Sequence, residues 1–142
     1  MNTAEKAALI EDILMRAAEH VGDITEPTMA AYYARCPAGE AAFEHHCLGQ
    51  RSRLEGQMVE NSLHCLMNWL ESPGEIEILL GESVPHHRDT LNIPPNWYSD
   101  LIEATAEVVA ATIPAENSTE RALWSEIRND LRELIEACHA AA

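Results

Sequence analysis

Helical periodicity, cut at unequal intervals by helix-breaking residues, is the feature of this sequence that most constrains its fold. Apolar residues recur three and four positions apart along most of the chain, as they do on the buried face of an amphipathic helix. Glycine and proline interrupt this pattern at Gly22, Pro37, residues 72–74 and Pro114. No stretch has the strict alternation of a half-buried strand. The sequence therefore predicts an all-α fold whose helices differ in length.

Capping signals and prolines set the predicted helix boundaries. Asn2 with Glu5, and Asn117 with Glu120, match the reciprocal cap that opens a helix. Pro85 disfavours helical backbone at the residue before it, so the two histidines that follow are expected on a separate turn, after a short helix. The predicted helices cover residues 2–22, 23–35, 37–43, about 51–71, a short stretch after 72–74, 94–113, and a last segment from 117, with a loop over 44–50.

Composition narrows the class of protein. A chain of 142 residues fits a single domain over residues 1–142. The formal net charge of −15 repels nucleic acid and anionic membranes, so neither is an expected partner. No apolar run approaches the roughly 20 residues that a membrane span needs, and residues 1–20 do not resemble a secretory signal. The four cysteines form no Cys-x-x-Cys pair and are expected to be reduced, buried or half-buried thiols in a cytoplasmic protein.

The stretch from Val84 to Tyr98 carries the residue best suited to bind a metal. His87 shares a helical face with Leu80 and Ser83, so it is expected to point towards apolar neighbours. The hydroxyl or carbonyl of Ser83, four residues earlier, could accept the N–H of the imidazole ring and orient it. A solvated histidine at a helix end is the plainer interpretation. His86 is the rival candidate, but its face of the helix looks more polar.

Motifs at separate places in the chain resemble those of the globin superfamily, and of its bacterial single-domain and sensor members in particular. Ile93-Pro94-Pro95-Asn96-Trp97-Tyr98 resembles the start of the helix that follows the proximal histidine in bacterial sensor globins. Arg35-Cys36-Pro37 followed by Phe43 is similar to the start of the third globin helix and the phenylalanine that packs on the haem. Trp124 in the last helix is a weaker match, and together these motifs span roughly residues 23 to 135. Unequal helix lengths also favour a globin-like stack of six to seven helices over an up-and-down bundle.

This resemblance implies a haem b cofactor and a diatomic gas ligand: oxygen, nitric oxide or carbon monoxide. His87 would be the iron ligand and Phe43 would pack against the porphyrin. The other residues expected around the cofactor are Met29, Leu54, Met58, Leu80, Ile93 and Tyr98, and those expected around the gas are Met29, Arg53, Gln57, Met58 and Ser62. Any nitric oxide dioxygenase or peroxidase activity would need an external reductant, and sensing would need a separate signalling partner.

Met29 is the main departure from the pattern of bacterial globins. Counted back from Pro37, it occupies the place where many of them have a distal tyrosine. Methionine cannot donate a hydrogen bond to bound oxygen. The sequence therefore predicts weak oxygen binding and a relative preference for carbon monoxide.

Three other interpretations remain open at the level of sequence. One is a globin-like regulatory or interaction module without haem, whose pocket is filled by Met29 and Met58. Another is a di-iron bundle, although Glu60 and His64 are spaced one residue too far apart for its motif. The last is a homodimer formed by the two C-terminal helices, because five of their apolar residues exceed what one interior was expected to hold: Leu101, Val108, Leu123, Leu131 and Leu134.

Overall fold

The computed structural model describes residues 1–91 and 95–140. Only the backbone is described at His46, Arg88, Thr90, Leu91 and Pro95. Ile93, which was predicted to contact the cofactor, and Pro94 of the same motif lie outside the described residues.

Seven α-helices and no strand occur in the described residues, which confirms the predicted all-α class. The helices form one single-domain stack and differ in length, as the spacing of breakers predicted. They are α1 (Thr3–Val21), α2 (Thr25–Arg35), α3 (Pro37–His46), α4 (Arg51–Asn68), α5 (Pro73–Leu91), α6 (Pro95–Ala110) and α7 (Ser118–Ala140).

Side-chain caps fix the starts of two helices where the sequence signals them, and a neighbouring side chain bonds to the first turn of a third. The Asn2 side chain accepts a hydrogen bond from the backbone N–H of Glu5 at 2.8 Å, at the start of α1. Asn117 accepts from the backbone N–H of Glu120 at 3.1 Å, at the start of α7. Before α2, Asp23 accepts from Thr25 at 2.9 Å. These bonds satisfy N–H groups that the first turn of a helix leaves without intrahelical partners.

Four predicted boundaries differ from the structure. Helix α4 ends at Asn68 rather than at about 71, and α6 ends at Ala110 rather than at 113. The third helix continues to His46, so half of the predicted loop is helical. The fifth helix runs without a break from Pro73 to Leu91, with Pro85 inside it, so the histidines do not lie on a separate turn. Proline at this position removes the N–H that would bond to the Gly81 carbonyl. Before the proline, Leu80 is completely buried and Val84 is 2% exposed; after it, His87 bonds to the Ser83 carbonyl and packs against Tyr98. These contacts hold the segment on both sides of the proline.

The core surrounds α6, which packs mainly against α2 and α7. Trp124 of α7 is 1% exposed, and its indole N–H donates to the Ala106 carbonyl at 2.9 Å. This packing also accounts for the five apolar residues that suggested a dimer. They are all part of the core or packed against it: Leu101, Val108, Leu123, Leu131 and Leu134. The stripe therefore no longer supports a homodimer.

A buried ion pair joins the two ends of the chain. Arg16 of α1 donates to both carboxylate oxygens of Glu120, at 2.6 and 3.0 Å. Glu120 is only 3% exposed and lies in the first turn of α7, where the helix dipole favours a negative charge. This bidentate contact fixes how α1 lies along α7.

The cysteines are free thiols, as predicted. Cys36, Cys47 and Cys65 are buried, and Cys138 is half-buried. Within residues 1–91 and 95–140, none of the helices combines the length and the apolar character that crossing a membrane demands.

Candidate functional site: an apolar cavity beside His87

A cavity of about 510 Å³ lies among α2, α3, α4, α5 and α6. This volume falls in the range of roughly 300–1,000 Å³ that is usual for small-molecule and cofactor sites. The sequence-predicted residues that line it are His87, Phe43, Leu54, Gln57, Met58, Ser62 and Tyr98. Residues from four different helices, α3, α4, α5 and α6, that were expected around one ligand therefore do lie around one cavity.

His87 is held by its own helix. Its Nδ1 lies 2.7 Å from the Ser83 carbonyl oxygen, one helical turn earlier. A carbonyl can only accept, so Nδ1 carries the proton and donates. The neutral ring then has its lone pair on Nε2, which is the form that binds a metal ion. Of the two Ser83 acceptors considered from sequence, the structure uses the carbonyl.

Tyr98 supports the same imidazole from α6. Its ring meets the His87 ring edge-on, with centroids 5.2 Å apart and planes at 78°. Its hydroxyl is 2.8 Å from the Ser83 hydroxyl, so the same serine is linked to both side chains. Burial raises the pKa of Tyr98 and keeps its hydroxyl protonated at neutral pH. The rival His86 is exposed and is not among the described residues that line the cavity.

Tyr32, rather than Met29, lines the cavity from α2. Met29 is buried in the core, at 3% exposure, and is not among the described residues that line the cavity. The two residues are three positions apart and share a face of α2. Counting back from Pro37 therefore selected the correct face of the helix but a turn too far from the cavity. Burial raises the pKa of Tyr32 well above its ordinary value, so the wall carries a hydroxyl that can donate a hydrogen bond.

Arg53 and Leu80 also lie away from the cavity. Arg53 borders a second, more open groove of about 590 Å³, between α1 and α4. It is one position before Leu54, and one position turns the helix by about 100°, which directs the two side chains to different sides of α4. Gln57 borders both spaces. Leu80 is fully buried in the core.

Gly39 of α3 is the point of closest backbone approach to Tyr32. A Cβ atom at this position would lie 2.9 Å from the Tyr32 hydroxyl oxygen and 2.9 Å from the Cys36 sulfur. Such distances are too short for ordinary packing. The absence of a side chain at Gly39 is therefore what leaves room for the Tyr32 hydroxyl beside the cavity wall.

Several lining residues were not predicted. Cys65 could have been inferred, because it lies three positions after Ser62 on the stripe of α4 that begins at Leu54. Burial raises its pKa to about 11, so it lines the cavity as a neutral thiol. The other lining residues are brought to the cavity by tertiary packing, which the local sequence pattern does not predict. They are Tyr32, Gly39, Ala42, Cys47, Asn61, Trp97, Leu101 and Ile102.

The residues considered for a di-iron site are not assembled into one. His64 interacts with Glu75 at 3.1 Å and with Asn68. Among the described residues, no group of three or more His, Cys, Asp or Glu side chains is arranged to hold a metal ion. A haem iron needs only one such protein ligand, because the porphyrin supplies the other nitrogens.

Comparison of the chain with models of protein families, with curated proteins and with solved structures found no match.

Proposed function

We propose that this chain binds haem b in the cavity beside His87 and, through it, a diatomic gas ligand. The observation that carries the proposal is the imidazole of His87, which its bond to the Ser83 carbonyl orients at the wall of a largely apolar cavity. Its Nδ1–H is committed to Ser83 at 2.7 Å, and its Nε2 lone pair is available to an iron ion. Haem proteins commonly use a single histidine of this kind as the proximal ligand.

The cavity residues suit a flat apolar cofactor. Phe43 and Met58 supply apolar contact, and Leu54 adds a further apolar wall on α4. An apolar site disfavours water, which protects bound ferrous haem from oxidation. The exposed Gln57 and Asn61 give the site a polar edge. The porphyrin would supply the iron centre for the gas, while the chain supplies the ligand, the dry walls and a hydroxyl.

Tyr32 is the residue expected to distinguish between gases. Its hydroxyl is protonated at neutral pH, like that of any tyrosine, and burial raises its pKa further. A protonated hydroxyl stabilises a polar ligand such as oxygen more than carbon monoxide, which accepts hydrogen bonds poorly. The prediction of weak oxygen binding, which rested on Met29, is accordingly replaced by a prediction of hydrogen-bonded oxygen.

The open cavity favours this proposal over a haem-free module. In that alternative, Met29 and Met58 would fill the pocket with side chains. Met58 instead lines the open space, and Met29 is buried elsewhere in the core. A role in gas sensing or gas handling would further require a signalling or reducing partner, which we propose to be a separate protein in the cytoplasm.

Haem titration of wild-type protein and two histidine variants tests the proposal. We expect wild type and His86→Ala to bind haem stoichiometrically, with a strong Soret band. His87→Gly should lose this spectrum, because the variant lacks the only proposed iron ligand, and added imidazole should restore it by filling the space left at His87. Circular dichroism of each variant verifies that the helices are intact.

A wild-type protein that takes up no haem would refute the proposal. Loss of the spectrum in His86→Ala, with retention in His87→Gly, would move the iron to the other histidine.

A further inference from the structure

Helix α3 forms one wall of the cavity but is weakly attached to the rest of the fold. It contributes Gly39, Ala42 and Phe43 to the lining. Its principal helix neighbour is α2, and it has few contacts with the other helices. A short helix that covers a cavity and packs on a single neighbour is a natural point of entry for a ligand.

Arg51, the first residue of α4, connects α3 to the rest of the fold through ion pairs. Its guanidinium donates to Glu40 at 2.8 Å and also to Glu44, and both of these carboxylates belong to α3. A third bond reaches Glu55 of α4 at 3.3 Å. The same guanidinium lies 5.1 Å from the centre of the Tyr33 ring on α2. One side chain therefore connects α2, α3 and α4, and its partners on α2 and α3 are next in the chain to the lining residues Tyr32, Gly39 and Phe43.

The geometry of α3 makes this cation hard to replace. Glu40 and Glu44 are four residues apart on one face of the helix, where like charges repel. The chain as a whole carries a formal net charge of −15 and has only nine Lys and Arg residues against 24 Asp and Glu, so few other cations could replace Arg51. Tyr33 also donates to Glu55 at 2.6 Å, which holds the third carboxylate of the cluster in place. Without Arg51, three acidic groups would face one another around the α3–α4 turn.

We propose that Arg51 is an electrostatic latch that holds α3 closed over the cavity and limits the rate at which small ligands enter. The identity of the natural ligand rests on the proposed function, but the latch acts on any small neutral molecule that enters this cavity. Partly exposed ion pairs contribute little individually and are screened by salt. A contact of this strength holds a wall most of the time and still allows it to open.

Entry rates of two neutral probes test the latch. The first is carbon monoxide, followed by recombination after flash photolysis of the haem-loaded protein. The second is N-phenyl-1-naphthylamine, followed by stopped-flow fluorescence in the haem-free protein. Neither probe is charged, so a change in long-range steering cannot explain a change in rate.

We expect Arg51→Met to accelerate entry of both probes by roughly three- to tenfold, the effect of losing a small network of partly exposed ion pairs. The matched control is Arg132→Met, because Arg132 is similarly exposed, forms an ion pair with Glu103 and donates a hydrogen bond to Asn129, and neither partner lines the cavity. Entry into wild type should also accelerate as salt shortens the screening distance from about 8 Å to about 3 Å. Arg51→Met should not respond to salt in this way, which separates a latch from general loosening.

Equal rates and equal salt responses in Arg51→Met, Arg132→Met and wild type would overturn the latch. If Arg51→Met does not fold, the double substitution Glu40→Gln with Glu44→Gln removes both ion pairs between Arg51 and α3, and an unchanged rate in that variant would equally overturn it. A protein that binds no haem but shows the expected dye kinetics keeps the latch and loses the proposed function. A protein that binds haem, but whose entry rates are the same in all variants, would support the proposed function and overturn the latch.

Discussion

Gly39→Ala tests whether Tyr32 and α3 approach each other as closely as the structure has them. The new Cβ atom would meet the Tyr32 hydroxyl oxygen and the Cys36 sulfur at 2.9 Å each. Both of these neighbours are 5% exposed, so neither can move freely into solvent. Overpacking a close-packed site typically costs about 1–3 kcal/mol. Gly39 is in the first turn of α3, where alanine recovers about 0.5 kcal/mol relative to glycine, so the net loss of stability should be roughly 0.5–2.5 kcal/mol.

Gly56→Ala is the matched control for this substitution. Gly56 also lies inside a helix, but a Cβ there would meet no atom within 4 Å. Only the gain in helix propensity remains, so this variant should be more stable than wild type by about 0.5–1 kcal/mol. The two glycine substitutions should therefore change the free energy of unfolding, measured in urea, in opposite directions.

A double-mutant cycle with Tyr32→Phe identifies the atom responsible. Removing the hydroxyl relieves one of the two close contacts of the new Cβ. Gly39→Ala should then cost less in the Tyr32→Phe background than in wild type, with a coupling energy of at least about 0.5 kcal/mol. A stabilising Gly39→Ala, equal to Gly56→Ala, would show that α3 does not approach Tyr32 as described. A cycle without coupling would assign the whole cost to Cys36.

Two further substitutions probe the cavity wall. Tyr32→Phe should accelerate oxygen release from the haem-loaded protein by roughly tenfold or more, because a hydrogen bond to a partly charged acceptor contributes about 1.5–3 kcal/mol. Carbon monoxide release should be nearly unchanged. Stopped-flow ligand replacement measures both rates, and equal effects on the two gases would contradict the role of the hydroxyl. Burial raises the pKa of Cys65 from its ordinary 9.0 to about 11. The protonated thiol therefore contributes stability that is present below pH 9 and is lost as the pH rises towards 11. At 1.36 kcal/mol per pKa unit, this loss of stability amounts to about 2–3 kcal/mol. Cys65→Ala should flatten the decline of unfolding free energy over that pH interval, and a decline as steep as that of wild type would exclude Cys65 as its source.

The helices could be predicted from the sequence because their signals are local. Asn2 and Asn117 cap the helices they announce, since a cap needs only its own side chain and an N–H three residues ahead. The helical spacing of Leu54, Met58 and Ser62 likewise places them on one side of α4, and all three line the cavity, as the resemblance implied. His87 was selected for the same reason, because its face and its bond to Ser83 are properties of one helical turn.

The continuation of α5 through Pro85 could not be predicted from the local sequence. The sequence rule describes the backbone cost of a proline, but the outcome also depends on how much apolar surface the helix around it buries. Leu80 and Val84 are buried against elements distant in the chain, and that tertiary contribution outweighs the lost hydrogen bond. The position of Arg53 shows a similar limit, since the sequence gives the stripes of α4 but not which neighbouring helix each one faces.

Tyr32 lines the cavity in place of the predicted Met29, and this changes which ligand the site would suit. A methionine offers no donor, whereas a buried phenol with a raised pKa offers one at any physiological pH. The neighbour that competes for this proton is the Cys36 thiol, whose own pKa is raised chiefly by burial. A neutral sulfur is a weak acceptor, so redirecting the Tyr32 hydroxyl towards a polar ligand costs little. If haem occupies the cavity, this arrangement favours oxygen over carbon monoxide relative to an all-apolar wall. Gly39 would then affect gas selectivity without touching the gas, because a larger residue there displaces the hydroxyl that provides the selectivity.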